Sequence, residues 1–325
     1  MPDFHCPMGA QFYEADDCIL CGLCTAINKD ELVAASKKLR AYLKEHGEKD
    51  IPMQKIAISG KGGVGKSTIT TLLAEILADE GYGVLVIDTD ESNPGLYRMF
   101  NFEKQPQPLM KLLSRFAIGE PEPNTEWITK DEISISDIPE EYILRSNGNK
   151  FMMVGKIEDP FQGCACTMAD VTRSLLEKLV LGANELIIID MEAGVESFGR
   201  GVERGVDTVI AVVEPSYESL SLAGRIKSMA DGIGVNKVRA ILNKVPSEEA
   251  LQKMKDQLIT RNVKVAGVVH YDPAVSEAGF DGVPPGDSKA REELTVIVRS
   301  LIEESKQSEE NKSTDEAEEF TSLDK

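Results

Sequence analysis

The residues best equipped for chemistry lie in one run, Gly60-Lys61-Gly62-Gly63-Val64-Gly65-Lys66-Ser67-Thr68. It fills every fixed position of G-x-x-x-x-G-K-[ST], a loop whose backbone cradles phosphate. Its glycines let the N–H groups close around an anion with no Cβ in the way. A helix opening at this point brings its positive end to the same anion. In that setting Lys66 reaches the β- and γ-phosphates of a nucleotide, and the Ser67 hydroxyl completes a Mg²⁺ shell. Asp190 ends an apolar run at the position from which an aspartate assists Mg²⁺ binding through water. Asp90, closing Asp88-Thr89-Asp90, would project towards the phosphates and orient water or hold the Mg²⁺ shell. Strand-terminal aspartates also serve as plain helix caps. After the apolar run 238–242, Asn243-Lys244 offers an amide that can pair with an adenine edge.

The cysteines form two groups. Cys164-Ala165-Cys166 precedes a helical run, whose positive end favours thiolate, the ligand form for a soft or borderline metal. One pair supplies half a tetrahedral or square-planar shell; two buried structural thiols are the plain alternative. At the front of the chain, Cys18-x-x-Cys21-x-x-Cys24 with a distant Cys6-Pro7 resembles one [4Fe–4S] site of a bacterial ferredoxin. Zinc held by these cysteines or His5, or no metal at all, stays open. His46 and His270 join no visible cluster, and His270 reads as capping or packing a loop.

The elements needed to position these residues are legible. Lys55–Ser59 alternates as a strand and Ile69–Leu77 reads as a buried helix. Val84–Asp88, Phe151–Gly155, Glu185–Asp190, Thr208–Val213, Val238–Leu242 and Val263–Val269 continue the strands. Several are near-continuous apolar runs, as in parallel strands covered on both faces. Helices fit between them at Thr167–Leu181, where Thr167 and Asp170 have the spacing of a capping pair, Glu218–Ile233, Ser247–Arg261 and Ser288–Glu304. The predicted fold is α/β: a doubly wound, mostly parallel sheet of the P-loop NTPase type, with a small N-terminal cysteine-rich extension. We expect the extension over residues 1–50, with a helix at Lys29–Glu45, the ATPase domain over 51–304, and an acidic, disordered tail over 305–325. Residues 101–150, with five prolines, read as an insertion covering one end of the sheet, in which Trp127 packs.

The chain has 325 residues, 42% of them hydrophobic, and suits one large domain with appendages. A formal net charge of −19 argues against sequence-independent nucleic-acid binding and against docking on anionic lipid. No apolar run approaches a bilayer span, and the first residues lack a signal-peptide pattern, so a cytoplasmic location is expected. In that compartment six cysteines are more readily metal ligands than disulfides.

Loops of the form GKGGVGKS resemble the deviant Walker A ATPases, the class containing MinD, ParA, the nitrogenase iron protein and CooC. There the extra lysine, Lys61 here, crosses a two-fold interface to the partner's nucleotide, which implies an ATP-closed homodimer. The resemblance assigns Asp90 to the attacking water, Gly194 N–H in Asp190-Met191-Glu192-Ala193-Gly194 to sensing the γ-phosphate, and strengthens Asn243 as a base contact. Cys164-Ala165-Cys166 in its context, DMEAGVESFGRG (190–201), DTDESNPGL (88–96) and SDIPEEY (136–142) are similar to CooC-type nickel-insertion ATPases over residues 53–300. That implies a dimer binding Ni²⁺ or Zn²⁺ through paired Cys164 and Cys166, hydrolysing ATP to ADP, and serving nickel CO dehydrogenase or acetyl-CoA synthase. The front-end cysteines depart from this pattern. They suit instead an electron-transfer ATPase like the nitrogenase iron protein, or an Fe–S assembly scaffold. A partition or septum-positioning ATPase explains no cysteine.

Overall fold

A computed structural model describes residues 53–91, 95–113, 125–146, 148–155, 165–235 and 237–304. Cys6, Cys18, Cys21, Cys24 and Cys164, the helix expected at 29–45 and the tail from 305 lie outside the described residues. The strands are β1 (Lys55–Gly60), β2 (Gly83–Asp88), β3 (Leu144–Ser146), β4 (Asn149–Met153), β5 (Glu185–Asp190), β6 (Thr208–Val213), β7 (Lys237–Val245) and β8 (Lys264–His270). The helices are α1 (Lys66–Asp79), α2 (Glu126–Thr129), α3 (Ala165–Lys178), α4 (Glu196–Gly199), α5 (Tyr217–Gly232), α6 (Glu248–Ile259), α7 (Pro273–Asp281) and α8 (289–304).

The strands form one sheet in the order β3-β4-β2-β5-β1-β6-β7-β8. Every pairing is parallel except β3 with β4. Alternate side chains of each strand enter opposite cores. Ile56, Ile58, Val86, Ile188 and Val212 meet Leu72, Leu73 and Ile76 of α1 and Leu294 and Val298 of α8. Ala57, Ile87, Ile187, Ile189 and Ala211 meet Leu175 and Leu176 of α3, Ile226 of α5 and Met254 of α6. A sheet covered on both faces accounts for the unbroken apolar runs and confirms the doubly wound reading. Ser216 caps α5 through Ser219 N, Ser247 caps α6 through Ala250 N, and Asp272 caps α7 through Ala274 N.

Several expectations shift. Helix α3 begins at Ala165, so Thr167 is already helical, and Asp170 Oδ1 accepts from Arg173 Nη2 (2.7 Å) instead of closing a capping box. The helix stops at Lys178 because Leu179 leaves it to bridge Ile133. Residues read as irregular contribute β3, which pairs Ser146 with Asn149 across an Asn-Gly sequence suited to a tight hairpin. Strand β4 accordingly starts and ends two residues early. Trp127 is buried against Tyr142, ring centroids 5.8 Å apart. His270 Nδ1 lies 2.7 Å from Glu293 Oε1, holding the end of β8 to α8. Helix α7, with no buried residue, had no apolar period to reveal it.

Candidate functional site

Central strand β1 feeds the loop 60–65, and α1 carries the chain away. Gly60 has φ +150, and a Cβ there would stand 2.5 Å from Val212 O. Gly65 has φ +96 at the N-terminus of α1, and its Cβ would stand 2.5 Å from Asn243 Nδ2. Both positions therefore require glycine. The loop's carbonyls are tied outward. Gly60 O accepts from Gly194 N (3.1 Å), Gly63 O from Lys244 Nζ (2.5 Å), and Val64 O from Asn243 Nδ2 (2.8 Å). Since the C=O and N–H of a trans peptide point opposite ways, the N–H groups of Lys61 and Gly65 turn away from these partners.

A cleft of about 480 Å³ opens over the loop, lined by Gly62, Gly63, Gly65, Lys66, Ser67, Thr68, Asp90, Asn243 and Lys244, with His270, Tyr271 and Asp272 along a second wall. Lys66 is buried at 7% exposure. The register of β2 on β5 sets Asp88 beside Asp190 at the sheet's carboxyl edge, and Asp90 N donates to Asp88 Oδ1 (3.1 Å). Asp190 is fully buried; its Oδ2 accepts from Ser67 Oγ (2.8 Å) and its Oδ1 from Thr70 Oγ1 (3.2 Å). Burial pushes its carboxyl up to about 6, against the Ser67 hydrogen bond and the charge of Lys66. A cradle that a Cβ would fill, a buried amine and a hydroxyl–carboxylate pair fit Mg²⁺ with a nucleoside triphosphate.

Four predicted residues have contacts that bear on their expected use. Asn243 and Lys244 belong to β7, not to a loop after it, and Lys244 has a left-handed φ of 57° at an irregular register with β8. One N–H of the Asn243 amide is committed to the loop at Val64 O, which leaves its second N–H and its oxygen for base reading. Gly194 N–H is held by Gly60 O, so sensing a γ-phosphate requires that bond to break. Lys61 Nζ lies 3.6 Å from Glu214 Oε1 of its own chain.

Beyond the loop, Arg200 Nη1 reaches Glu192 Oε2 (2.7 Å), and Arg173 Nη1 of α3 donates to Arg200 O (2.8 Å). Burial and the neighbouring Glu192 raise the Glu91 carboxyl. Residues 190–200 are thereby joined to α3, whose second residue is Cys166. Among the described residues no group of three or more His, Cys, Asp or Glu side chains is placed to hold a metal ion. Sequence reading missed Thr70, Glu214 and Arg200. Glu214 follows strand β6 directly, the same strand-end signal that picked out Asp190.

The family model described as the CobQ/CobB/MinD/ParA nucleotide binding domain matches residues 55–285. The chain belongs to that family. It is an ATPase, with the phosphate loop and the buried aspartate assembled as above. An uncharacterised ATP-binding protein of Methanocaldococcus jannaschii is 39% identical over 70% of this chain and 92% of its own. The carbon monoxide dehydrogenase accessory protein CooC of Rhodospirillum rubrum is 32% identical over 77% of this chain and 96% of its own. The septum site-determining protein MinD of Pyrococcus horikoshii, solved with Mg-ADP, superposes with a TM-score of 0.58 at 20% identity, covering 76% of this chain and 95% of the other. That likeness carries the fold alone. Among the described residues no helix is long and apolar enough to cross a membrane.

Proposed function

We propose that this ATPase is an ATP-driven carrier of a thiophilic metal ion, Ni²⁺ or Zn²⁺, for nickel CO dehydrogenase or acetyl-CoA synthase. Two copies close on ATP, and Cys164 and Cys166 of each supply a shared thiolate site at the two-fold axis. The observation that carries the reading is the Arg173–Arg200 contact, because it joins the helix bearing Cys166 to the segment running from the Mg²⁺-side aspartate. The relation to CooC, an accessory protein of carbon monoxide dehydrogenase, supports the choice of client.

In this reading the loop amides and Lys66 bind the β- and γ-phosphates, and Asp90 holds the attacking water. Mg²⁺, held by Ser67 and through water by Asp190, would neutralise charge on the phosphate oxygens. Lys61 acts across the interface. Gly194 exchanges Gly60 O for the γ-phosphate, moving 190–200 and, through the contact of Arg200 O with Arg173, α3.

The test is anaerobic metal analysis with absorption spectra on wild type and a Cys164→Ala/Cys166→Ala variant. About one Ni or Zn per dimer should vanish in the variant, as expected for one four-thiolate site. Any iron colour from Cys6, Cys18, Cys21 and Cys24 should persist. Iron lost with Cys164 and Cys166 would instead assign the second reading, an Fe–S carrier or reductase, which the four front-end cysteines favour.

A further inference from the structure

Glu214 is an acid at the mouth of an anion site. Its carboxylate lies 3.6 Å from Lys61 Nζ through Oε1 and 3.8 Å from Lys244 Nζ through Oε2. It is itself held at the end of β6, where its backbone N donates to Ser219 Oγ (3.1 Å) and its side chain is 23% exposed. Lys244 is committed as well, to Gly63 O at 2.5 Å, from a left-handed backbone. Such strain in a non-glycine residue persists where surrounding contacts enforce it. Lys61 is different. Glu214 is the anion the structure gives its ammonium, and at 41% exposure the pair is loose enough to exchange.

We propose that Glu214 is a positioning residue that stands in for phosphate, keeping Lys61 on its own chain until a partner's nucleotide takes it. The proposal rests on the reading that Lys61 works across a dimer interface. A carboxylate carries one negative charge; a triphosphate carries several, spread over oxygens that accept more hydrogen bonds. Exchange of Glu214 for a triphosphate is therefore favourable for Lys61, and unfavourable in its absence. The Lys244 contact completes the logic. Holding Gly63 O and facing Glu214, it fixes the carboxylate beside the loop without closing on Lys61. Glu214 thus sets how much nucleotide-bound partner is needed before two copies close.

The experiment is sedimentation velocity with a non-hydrolysable ATP analogue and Mg²⁺ on full-length wild type, Glu214→Gln, Lys61→Ala and the double variant, with analogue affinity measured in parallel. Glu214→Gln should dimerise at roughly two- to five-fold lower protein concentration, the range expected for removing a partly exposed ion pair. Lys61→Ala should not dimerise, and Glu214→Gln should change nothing in that background. A merely structural glutamate would act equally with and without Lys61, and that result overturns the proposal, as does weaker dimerisation of Glu214→Gln. If wild type binds the analogue yet stays monomeric, the dimer reading fails separately. In that case Glu214 still competes with the triphosphate for Lys61 and Lys244, and Glu214→Gln must bind the analogue more tightly. Equal affinity then ends the latch.

Discussion

Lys66 and Asp190 are both buried at the phosphate site, beside the buried Asp88 and Asp90. The loop encloses Lys66, and Asp190 has the Ser67 and Thr70 hydroxyls and that cation to offset its lost hydration. Lys66→Ala removes charge-assisted contacts to two phosphates. A loss of at least about 3 kcal/mol, more than a hundredfold in nucleotide affinity, is expected by equilibrium titration. For Asp190, the folded value of about 6 lies above the ordinary 3.8, so between these limits the folded chain holds a proton that the unfolded chain lacks. Its contribution to stability therefore rises as pH falls through that window, by up to roughly 3 kcal/mol. Function runs the other way, because a protonated Asp190 serves Mg²⁺ poorly. Mg²⁺-dependent ATP affinity should fall below pH 6 or so, while nucleotide-free Asp190→Asn melts higher than wild type at pH 7 and shows no such affinity step. A wild-type melting temperature that drops between pH 6 and 4 while Asp190→Asn stays flat would refute the assignment.

At the level of elements, α3 is where packing and chemistry meet. Leu175 and Leu176 anchor it in the core, Met168 and Ala169 are buried nearer its start, and between them Arg173 ties it to residue 200. Arg173→Met keeps the stem that packs and removes the donor. Under the proposed coupling, ATP should then no longer alter metal affinity at Cys164 and Cys166, while nucleotide affinity is unchanged; competition titration with a chromophoric chelator, with and without ATP analogue, reads this directly. What the sequence shows of the fold is what burial on two faces writes into it. The strands around β1 read as apolar runs and were placed almost to the residue. The hairpin β3–β4 was not, because Leu144–Ser146 is only half-buried at the sheet edge and carries no alternation. Helix α7 escaped for the same reason. The start of α3 was misplaced because a Thr-x-x-Asp spacing looks the same whether it caps a helix or lies within one. In the site, the residues of the phosphate loop follow a fixed local spacing that the sequence displays. The residues that hold the loop itself, Asn243, Lys244 and Glu214, lie some 150 to 180 positions away, and no local pattern records such pairings.

For the whole molecule the governing quantity is charge. Each copy carries a formal −19, and the proposed ATP-bound dimer would bring two such chains and two further anions together. Long-range repulsion would oppose closure, and the proposed attraction of Lys61 for the partner's phosphates would favour it. The two respond differently to salt. At roughly 0.01 M the screening length is about 30 Å, so most of the net charge is felt; at 0.15 M it is about 8 Å, and contacts of a few ångströms persist while distant charges no longer act. Raising salt from about 10 to 150 mM should therefore tighten ATP-dependent dimerisation of wild type, opposite to the usual behaviour of an ion-pair interface. Sedimentation velocity across that range decides it. Lys61→Ala should remain monomeric at every concentration, since screening removes an obstacle without supplying the attraction. Affinity that falls steadily from the lowest salt upward would mean that charge pairs, and not the net field, dominate the contact, and the weight placed on the −19 would be misplaced.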